Sequence, residues 1–404
     1  MSAPSYQSLS TALEPLGKRP GGGYERAAWT GADLDCRAWF TDAAQSRGLQ
    51  VERDRNGNLW AWWLPAGGAE PSDAFVTGSH LDSVVGGGAY DGPLGIVSAF
   101  AAIDALRESG LEPRKPVGVV AFSDEEGARF GVACVGSSLL TGRLDPDRAR
   151  SLRDGDGITL AQAMSAAGCD PAGLGKDVAS LHRIGMFVEL HIEQGRGLVQ
   201  RDAPIGIGTS IWPHGRWELR IEGEGNHAGT TQLADRHDPM ITLASIVLSA
   251  RAQASTFQSL ATIGRVSIEP NTSNAVAASV DAWLDARSAD EQTLAALVDA
   301  IDRSARDHAA AEGTSISMTR ASLTPAVVFA GAAREHLLRT LGPLPELATG
   351  AGHDAGILAG HVPAAMLFVR NPSGVSHAPA EYAAEADALA GVDALAAAMA
   401  SWIE

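Results

Sequence analysis

The sequence has little of what binding to polyanions requires. Only three of its 31 basic residues are lysines (Lys18, Lys115 and Lys176), they face 48 acidic residues, and the net charge is -17 with no basic cluster. Nucleic acids and anionic membranes both need a basic footprint, so neither is expected as a partner. Cysteine is also scarce. Cys36, Cys134 and Cys169 are odd in number and scattered, which offers neither a disulfide framework nor the paired spacing of a thiolate metal site. Their expected role is that of small buried residues in a reducing compartment. Met1 to Gly17 lacks a basic stretch followed by an apolar one, and no apolar run approaches the roughly 18 residues that cross a bilayer. The expectation is a cytoplasmic protein without membrane contact.

What is present is a long chain with ample core material. At 404 residues, 45% of them hydrophobic, two domains are expected rather than one growing core. The first two thirds alternate buried-strand runs with helical stretches, the pattern of an α/β fold. Phe75–Ser79 reads as a strand running into His80, and Asp91-Gly92-Pro93 opens a helix to about Leu106. Pro116–Ser123 is a second strand ending at Asp124-Glu125-Glu126, and Met186–Leu190 a third ending at His191. Beyond residue 211 the texture changes. Trp217–Glu222, Ala261–Ile268, Ala275–Arg287 and Ser315–Thr319 read as strands, Pro239–Gln253 and Glu291–Ala311 as helices. That order suggests a ferredoxin-like α+β insert. The fold expected is α/β: a large sandwich domain with a mixed sheet, residues 1–210 and 326–404, interrupted by an inserted ferredoxin-like domain, residues 211–325.

Three strands thus deliver polar clusters at their C-terminal ends, the edge where open α/β sheets bind ligands. Divalent metals take imidazole nitrogen and carboxylate oxygen, and two metals in one site need a shared carboxylate. His80, Asp91, Glu126, His191 and His377 are the candidate ligands. Adjacent glutamates can divide the labour, so Glu125 is the candidate general base beside the ligand Glu126. Each residue has an ordinary alternative. A histidine at a strand end is commonly a hydrogen-bonded loop residue, an Asp before Gly-Pro a turn or cap, and an Asp-Glu-Glu run a solvated helix start. Their convergence on one predicted edge weakens those alternatives together.

Several motifs carry a resemblance. Gly78-Ser79-His80-Leu81-Asp82-Ser83-Val84, Asp124-Glu125-Glu126-Gly127-Ala128-Arg129-Phe130 and Glu189-Leu190-His191-Ile192-Glu193-Gln194-Gly195 resemble the hydantoinase/carbamoylase branch of the M20 metallopeptidase-like amidohydrolases. So do Asn226-His227-Ala228-Gly229-Thr230-Thr231, Gly350-Ala351-Gly352-His353-Asp354-Ala355 and Gly374-Val375-Ser376-His377-Ala378-Pro379-Ala380-Glu381. The resemblance runs from about residue 20 to the C-terminus, with motif order and spacing kept.

The resemblance implies a metal pair bridged by Asp91, with His80 and His191 on one ion and Glu126 and His377 on the other. It implies that Glu125 activates the attacking water, that His227 of the insert reaches a partner subunit's site and polarises the scissile carbonyl, and hence that the enzyme is a homodimer with a shared active site. Asn274 and Arg287 match positions that bind a substrate carboxylate, and Gln194 one that hydrogen-bonds a ureido group. His353 is a candidate for shaping the substrate pocket. The implied reaction is hydrolysis of a ureido or N-carbamoyl C–N bond in a small anionic substrate, allantoate or an N-carbamoyl-L-amino acid, with a dipeptidase or N-acyl-amino acid amidase as the alternative. Zinc or manganese is the expected metal, and such a ligand set also accepts nickel or cobalt. Three places depart from the branch pattern: Gln232 where Pro is usual, Ala277-Ala278 for Pro-Gly, and Arg370-Asn371 for Pro-Ser. The last lies near His377 and is expected to bear on substrate preference.

Overall fold

The computed structural model describes residues 2–67 and 72–404. Its strands in chain order are β1 (Gln50–Arg53), β2 (Leu59–Trp63), β3 (Ala74–His80), β4 (Val117–Phe122), β5 (Ile184–Ile192), β6 (Ile205–Ile211), β7 (His214–Glu222) and β8 (Asn226–His227). Then come β9 (Leu260–Glu269), β10 (Ala275–Val276), β11 (Ser279–Arg287), β12 (Ser315–Thr324), β13 (Val327–Val328), β14 (Glu346–Thr349) and β15 (Ala364–Val369). The chain divides into two compact units, Met1–Thr209 with Val328–Glu404, and Ser210–Val327.

The first unit is built on a mixed sheet in the order β1-β2-β4-β3-β5-β15-β6-β13, with β14 beside β6. The central strands β4, β3, β5 and β15 run parallel, flanked by antiparallel β2 and β6. β3, β4 and β15 are buried at every residue, as expected of parallel strands covered on both faces, and this is why they read as continuous apolar runs. Register aligns their ends: His80 sits opposite Phe122, and His191 opposite Phe368. The C-termini of four parallel strands therefore share one edge.

The helix Pro93–Glu108 packs against this sheet and against the helices Ser2–Leu13 and Glu385–Ile403. Small residues allow the close approach: a Cβ on Gly95 would stand 2.5 Å from the Leu190 carbonyl oxygen and 2.9 Å from Ser79 Cβ. The helix Glu385–Ile403 corrects the expectation about apolar length, because by length and composition alone it could cross a bilayer. It is a core helix, with Leu395, Met399 and Ile403 fully buried.

The second unit is an antiparallel sheet in the order β12-β7-β11-β9. The helices Pro239–Thr256 and Glu291–Ala311 follow β7 and β11, so the chain runs strand–helix–strand–strand–helix–strand. β7 alternates strictly between buried and outward residues, and Trp217, Leu219 and Ile221 join Leu243, Ile246, Leu297 and Ile301 in one core. Asp290 caps the second helix by accepting the Thr293 N–H at 2.8 Å, which satisfies one of its free amides. Two expected boundaries differ. The stretch Ala275–Arg287 is two strands broken at Ala277-Ala278, with β10 pairing β8 in a separate ribbon, and the strand expected over Ser315–Thr319 runs on to Thr324.

Candidate metal site and the insert residues

Asp91 stands at the centre of the strand-end edge. The N-cap of the following helix is Gly92, whose φ is +84° and where a Cβ would lie 2.5 Å from His80 Cε1. Glycine is therefore required for His80 and the helix start to pack together. Asp91 does not cap the helix; its carboxylate turns to three imidazoles. Oδ1 lies 3.4 Å from His80 Nε2 and 3.1 Å from His191 Nε2. Oδ2 lies 3.3 Å from His377 Nε2, which is itself 3.4 Å from Glu126 Oε2. One carboxylate thus separates two donor groups, His80 with His191 and Glu126 with His377, and both groups are compact enough to hold an ion.

The imidazoles are oriented from behind. His80 Nδ1 is 3.0 Å from the Asp82 carbonyl oxygen and His191 Nδ1 is 2.9 Å from that of Ile192. A carbonyl only accepts, so each Nδ1 carries a proton and Nε2 is the nitrogen that faces the site. Without a cation, burial of these rings is outweighed by Glu125 and Asp91 at His80 and by Asp91 at His191, so both imidazoles are raised, His80 well above its ordinary range, and metal binding displaces their Nε2 protons. Both Nε2 atoms are buried without a hydrogen-bond partner. Leaving such a group unsatisfied costs about 1–3 kcal/mol, and a divalent cation is the partner the donor set fits. Burial opposes the charging of Asp91, but His191, His377 and His80 outweigh it and hold the carboxyl well below its usual range.

Glu125 and Glu126 follow β4 in a bend, not the helix start that an Asp-Glu-Glu run commonly makes. Asp124 has a left-handed φ of 53°, and Asp82 ties down the next two residues by accepting the Glu125 and Glu126 amides at 3.1 and 3.0 Å. Glu125 Oε1 accepts the Cys134 thiol at 3.3 Å, while Oε2 lies 3.6 Å from His80 Nε2. Burial pushes the Glu125 carboxyl well above its ordinary range, and raises Glu126 to about 7 with help from Asp91. A carboxyl so placed can take up and release a proton near neutral pH.

Gln194 Nε2 donates to Asp91 Oδ2 at 2.8 Å, which leaves its buried Oε1 without a partner. His353 is buried with its ring centroid 4.5 Å from that of His191. Burial, then His191, push its imidazole well below the ordinary range, so it is neutral. It packs behind a candidate ligand. Arg370 corrects the expectation placed on the Arg370-Asn371 pair. Its Nε and Nη2 bind both oxygens of Asp387 at 2.8 and 2.9 Å, and Nη1 reaches Asp202 at 3.1 Å. The charge is committed to the scaffold. Asn371 shapes the loop toward His377 by donating to the Val375 carbonyl at 2.8 Å and accepting the Gly374 amide at 2.9 Å.

The other candidate residues belong to the second unit. His227 is exposed and opposite Ala275 in the β8–β10 ribbon, and the Asn274 carbonyl accepts the Ala228 amide at 3.1 Å. Arg287 ends β11 opposite His214 and is held by Asp285 at 2.7 and 3.1 Å. Asn274 thus lies with His227, whereas Arg287 is at the far end of a nine-residue strand, roughly 27 Å along at the rise of a β-strand.

Sequence reasoning passed over Asp82, Glu381 and Cys134 as working residues. Asp82, two positions after His80, was discernible from its spacing. Glu381 accepts the Tyr90 and Asp91 amides at 3.0 and 2.9 Å, and its place in the His377 motif was the available signal.

Comparison with known proteins agrees with this geometry. Residues 76–401 match the peptidase family M20/M25/M40. The N-carbamoyl-L-amino acid amidohydrolase of Geobacillus stearothermophilus is 35% identical, over 95% of this chain and 94% of its own. The allantoate amidohydrolase of Bacillus subtilis is 34% identical, over 95% and 93%. A crystal structure of a hydantoinase/carbamoylase family amidase from Burkholderia vietnamiensis superposes with a TM-score of 0.88 at 28% identity, covering 100% of this chain and 97% of that one. The buried imidazoles converging on Asp91 accordingly sit in a chain that belongs to the M20/M25/M40 peptidase family, a family of metal-dependent hydrolases, with hydantoinase/carbamoylase amidohydrolases among its relatives.

Proposed function

We propose that this chain is a metal-dependent amidohydrolase that cleaves the C–N bond of a ureido or N-carbamoyl group in a small carboxylate substrate, allantoate or an N-carbamoyl-L-amino acid. The observation that carries the chemistry is the position of Asp91 between two donor groups, with the buried Nε2 atoms of His80 and His191 lacking a hydrogen-bond partner. The substrate class rests on the similarity to the N-carbamoyl-L-amino acid and allantoate amidohydrolases.

In this reading His80 and His191 would hold one divalent ion and Glu126 and His377 a second, with Asp91 available to each. Zinc or manganese bound there would supply Lewis-acid polarisation of the carbonyl and would acidify water. Glu125 takes the proton of the attacking water on Oε2, its other oxygen being engaged by Cys134, and returns it to the leaving amine. The unpartnered Gln194 Oε1 accepts a ureido N–H. Arg287 pairs with the substrate carboxylate through its planar fork. His227 and Asn274 come from a second copy of the chain, His227 donating to the developing oxyanion.

Two features support a homodimer with a shared site. His227 and Asn274 lie together at one end of the insert and Arg287 at the other, so one insert cannot bring all three to one small substrate. The helix Pro239–Thr256 exposes Ile241, Val247 and Leu248, and β9 is a sheet edge with Leu260 and Val266 exposed. An open strand beside an apolar helix face is a pairing surface. The three cysteines are free, which favours the reducing cytoplasm as the compartment. Ammonia release from allantoate and from N-carbamoyl-L-amino acids by manganese- or zinc-loaded protein tests the proposal. Turnover of either substrate supports it, and release of amino acids from dipeptides or N-acyl conjugates with ureido acids untouched overturns it.

A further inference from the structure

A cavity of about 290 Å³ lies in the first unit, lined in part by Ala89, Tyr90 and Pro93 on either side of Asp91 in the chain, and no candidate metal ligand lines it. The size is near the lower end for small-molecule sites. Leu13, Leu94 and Val97 supply apolar wall. Three of the four tyrosines in the chain, Tyr6, Tyr24 and Tyr90, also line it, each offering a hydroxyl at the end of an apolar ring.

Arg26 lines the same cavity and is only 1% exposed. Its Nε donates to the Leu16 carbonyl at 2.8 Å and its Nη2 to that of Leu13 at 3.3 Å. The guanidinium carbon stands 4.1 Å from the centre of the Tyr24 ring. Nη1 is buried with no acceptor, and among the described residues no carboxylate stands within ion-pair distance of the guanidinium. A buried cation without a counterion is costly and is normally paired. Here the apolar wall and the missing anion occur in one cavity.

We propose that this cavity is a binding site for a small organic monocarboxylate, with a carboxylate oxygen accepting from Arg26 Nη1 and an apolar body against Leu13, Leu94 and Val97. The tyrosine hydroxyls are the natural donors for the other oxygen. Glu14 and Glu385 also line the cavity but are engaged elsewhere, Glu14 by Lys18 and Glu385 by Gln7, so among the described residues Arg26 is the one cation of the lining and has charge for a single carboxylate. Tyr90 and Pro93 flank Asp91 in the chain, so a bound molecule rests on the segment that carries the proposed bridging carboxylate. The site does not depend on the substrate proposed above.

Calorimetric titration of the full-length, metal-stripped protein with 3-phenylpropionate tests this. One site per chain is expected, with a Kd between about 10 μM and 1 mM for a ligand of that size, and benzylmalonate is expected to bind at least tenfold more weakly. An L-phenylalanine arm decides the natural source: binding assigns the site to amino acids, and failure assigns it to simple carboxylic acids. Ser10→Phe, which fills the cavity from a half-buried position, and Arg26→Gln should each weaken binding at least tenfold. Arg287→Ala should not change it. Should Arg26→Gln fail to fold, Ser10→Phe decides alone. No saturable binding up to about 10 mM, binding that survives Ser10→Phe, or binding lost in Arg287→Ala would overturn the proposal, the last by placing the probe in the substrate site.

Discussion

Glu381 accepts the backbone N–H of Asp91 at 2.9 Å, across 290 residues of sequence. The same oxygen takes the Tyr90 amide at 3.0 Å, and the Ser376 hydroxyl bridges Asp91 and Glu381 at 3.1 and 3.3 Å. The carboxylate between the two donor groups is thus fixed by a residue that need not touch a metal. Glu381→Ala should lower divalent-metal affinity about 10–100-fold, the usual effect of removing a group that orients ligands. Competition with a chelator measures it, and an unchanged affinity would remove Glu381 from the site.

Glu125 has one oxygen held by Cys134 and the other facing His80. Glu125→Gln keeps the shape and removes the proton acceptor. Turnover should fall by at least about 10²–10⁴-fold, with metal content unchanged. Activity retained in this variant would show that another group moves the proton.

Arg370 is bound to Asp387, which is 4% exposed. Arg370→Ala leaves that carboxylate without its partner and should destabilise the fold by about 1–3 kcal/mol. Chemical denaturation reads the loss. KM for ureido acids should stay the same, because the guanidinium serves the scaffold.

The metal-free protein should respond to pH in the opposite sense to the loaded one. Burial, with Asp91, raises Glu126 from 4.5 to about 7. A raised pKa means that the folded state holds the proton more tightly, so this contribution to stability is full below 4.5 and is lost as pH rises through about 7. Burial likewise raises Glu125, and its contribution is lost in the same direction. Metal binding needs Glu126 deprotonated, so stabilisation by metal should grow over the same window. Tm measured from pH 5 to 8 with and without chelator tests this, and parallel curves would contradict it.

Mixing His227→Ala and Glu125→Gln protomers, each inactive alone, should restore part of the activity through hybrid dimers. No recovery after confirmed subunit exchange would count against a shared site.

The candidate site was legible because its parts lie at the ends of buried strands whose apolar runs are long enough to read. His80, the Glu125–Glu126 pair and His191 follow such runs directly. β2, Leu59-Trp60-Ala61-Trp62-Trp63, is as buried as β3, but a run of five without periodicity does not identify itself as a strand. The break at Ala277-Ala278 was hidden because alanine, unlike glycine or proline, does not announce a break, and the choice is made by tertiary pairing: Val276 pairs with Asn226 and Ser279 with Glu222. Glu381 on Asp91 and Arg370 on Asp387 were not legible either, since hydrogen bonds between distant residues leave no local spacing to read. The role feared for Arg370 came from its nearness in sequence to His377, whereas its direction is set by the helix Glu385–Ile403.

The most direct test of the central claim is a manganese titration of metal-stripped protein, following bound metal per chain and ammonia release from a ureido acid together. The geometry around Asp91 predicts two ions per chain, with full activity reached only as the second binds, and loss of both in Asp91→Ala. Full activity at one ion per chain, or two bound ions with no ureido-acid turnover, would contradict it.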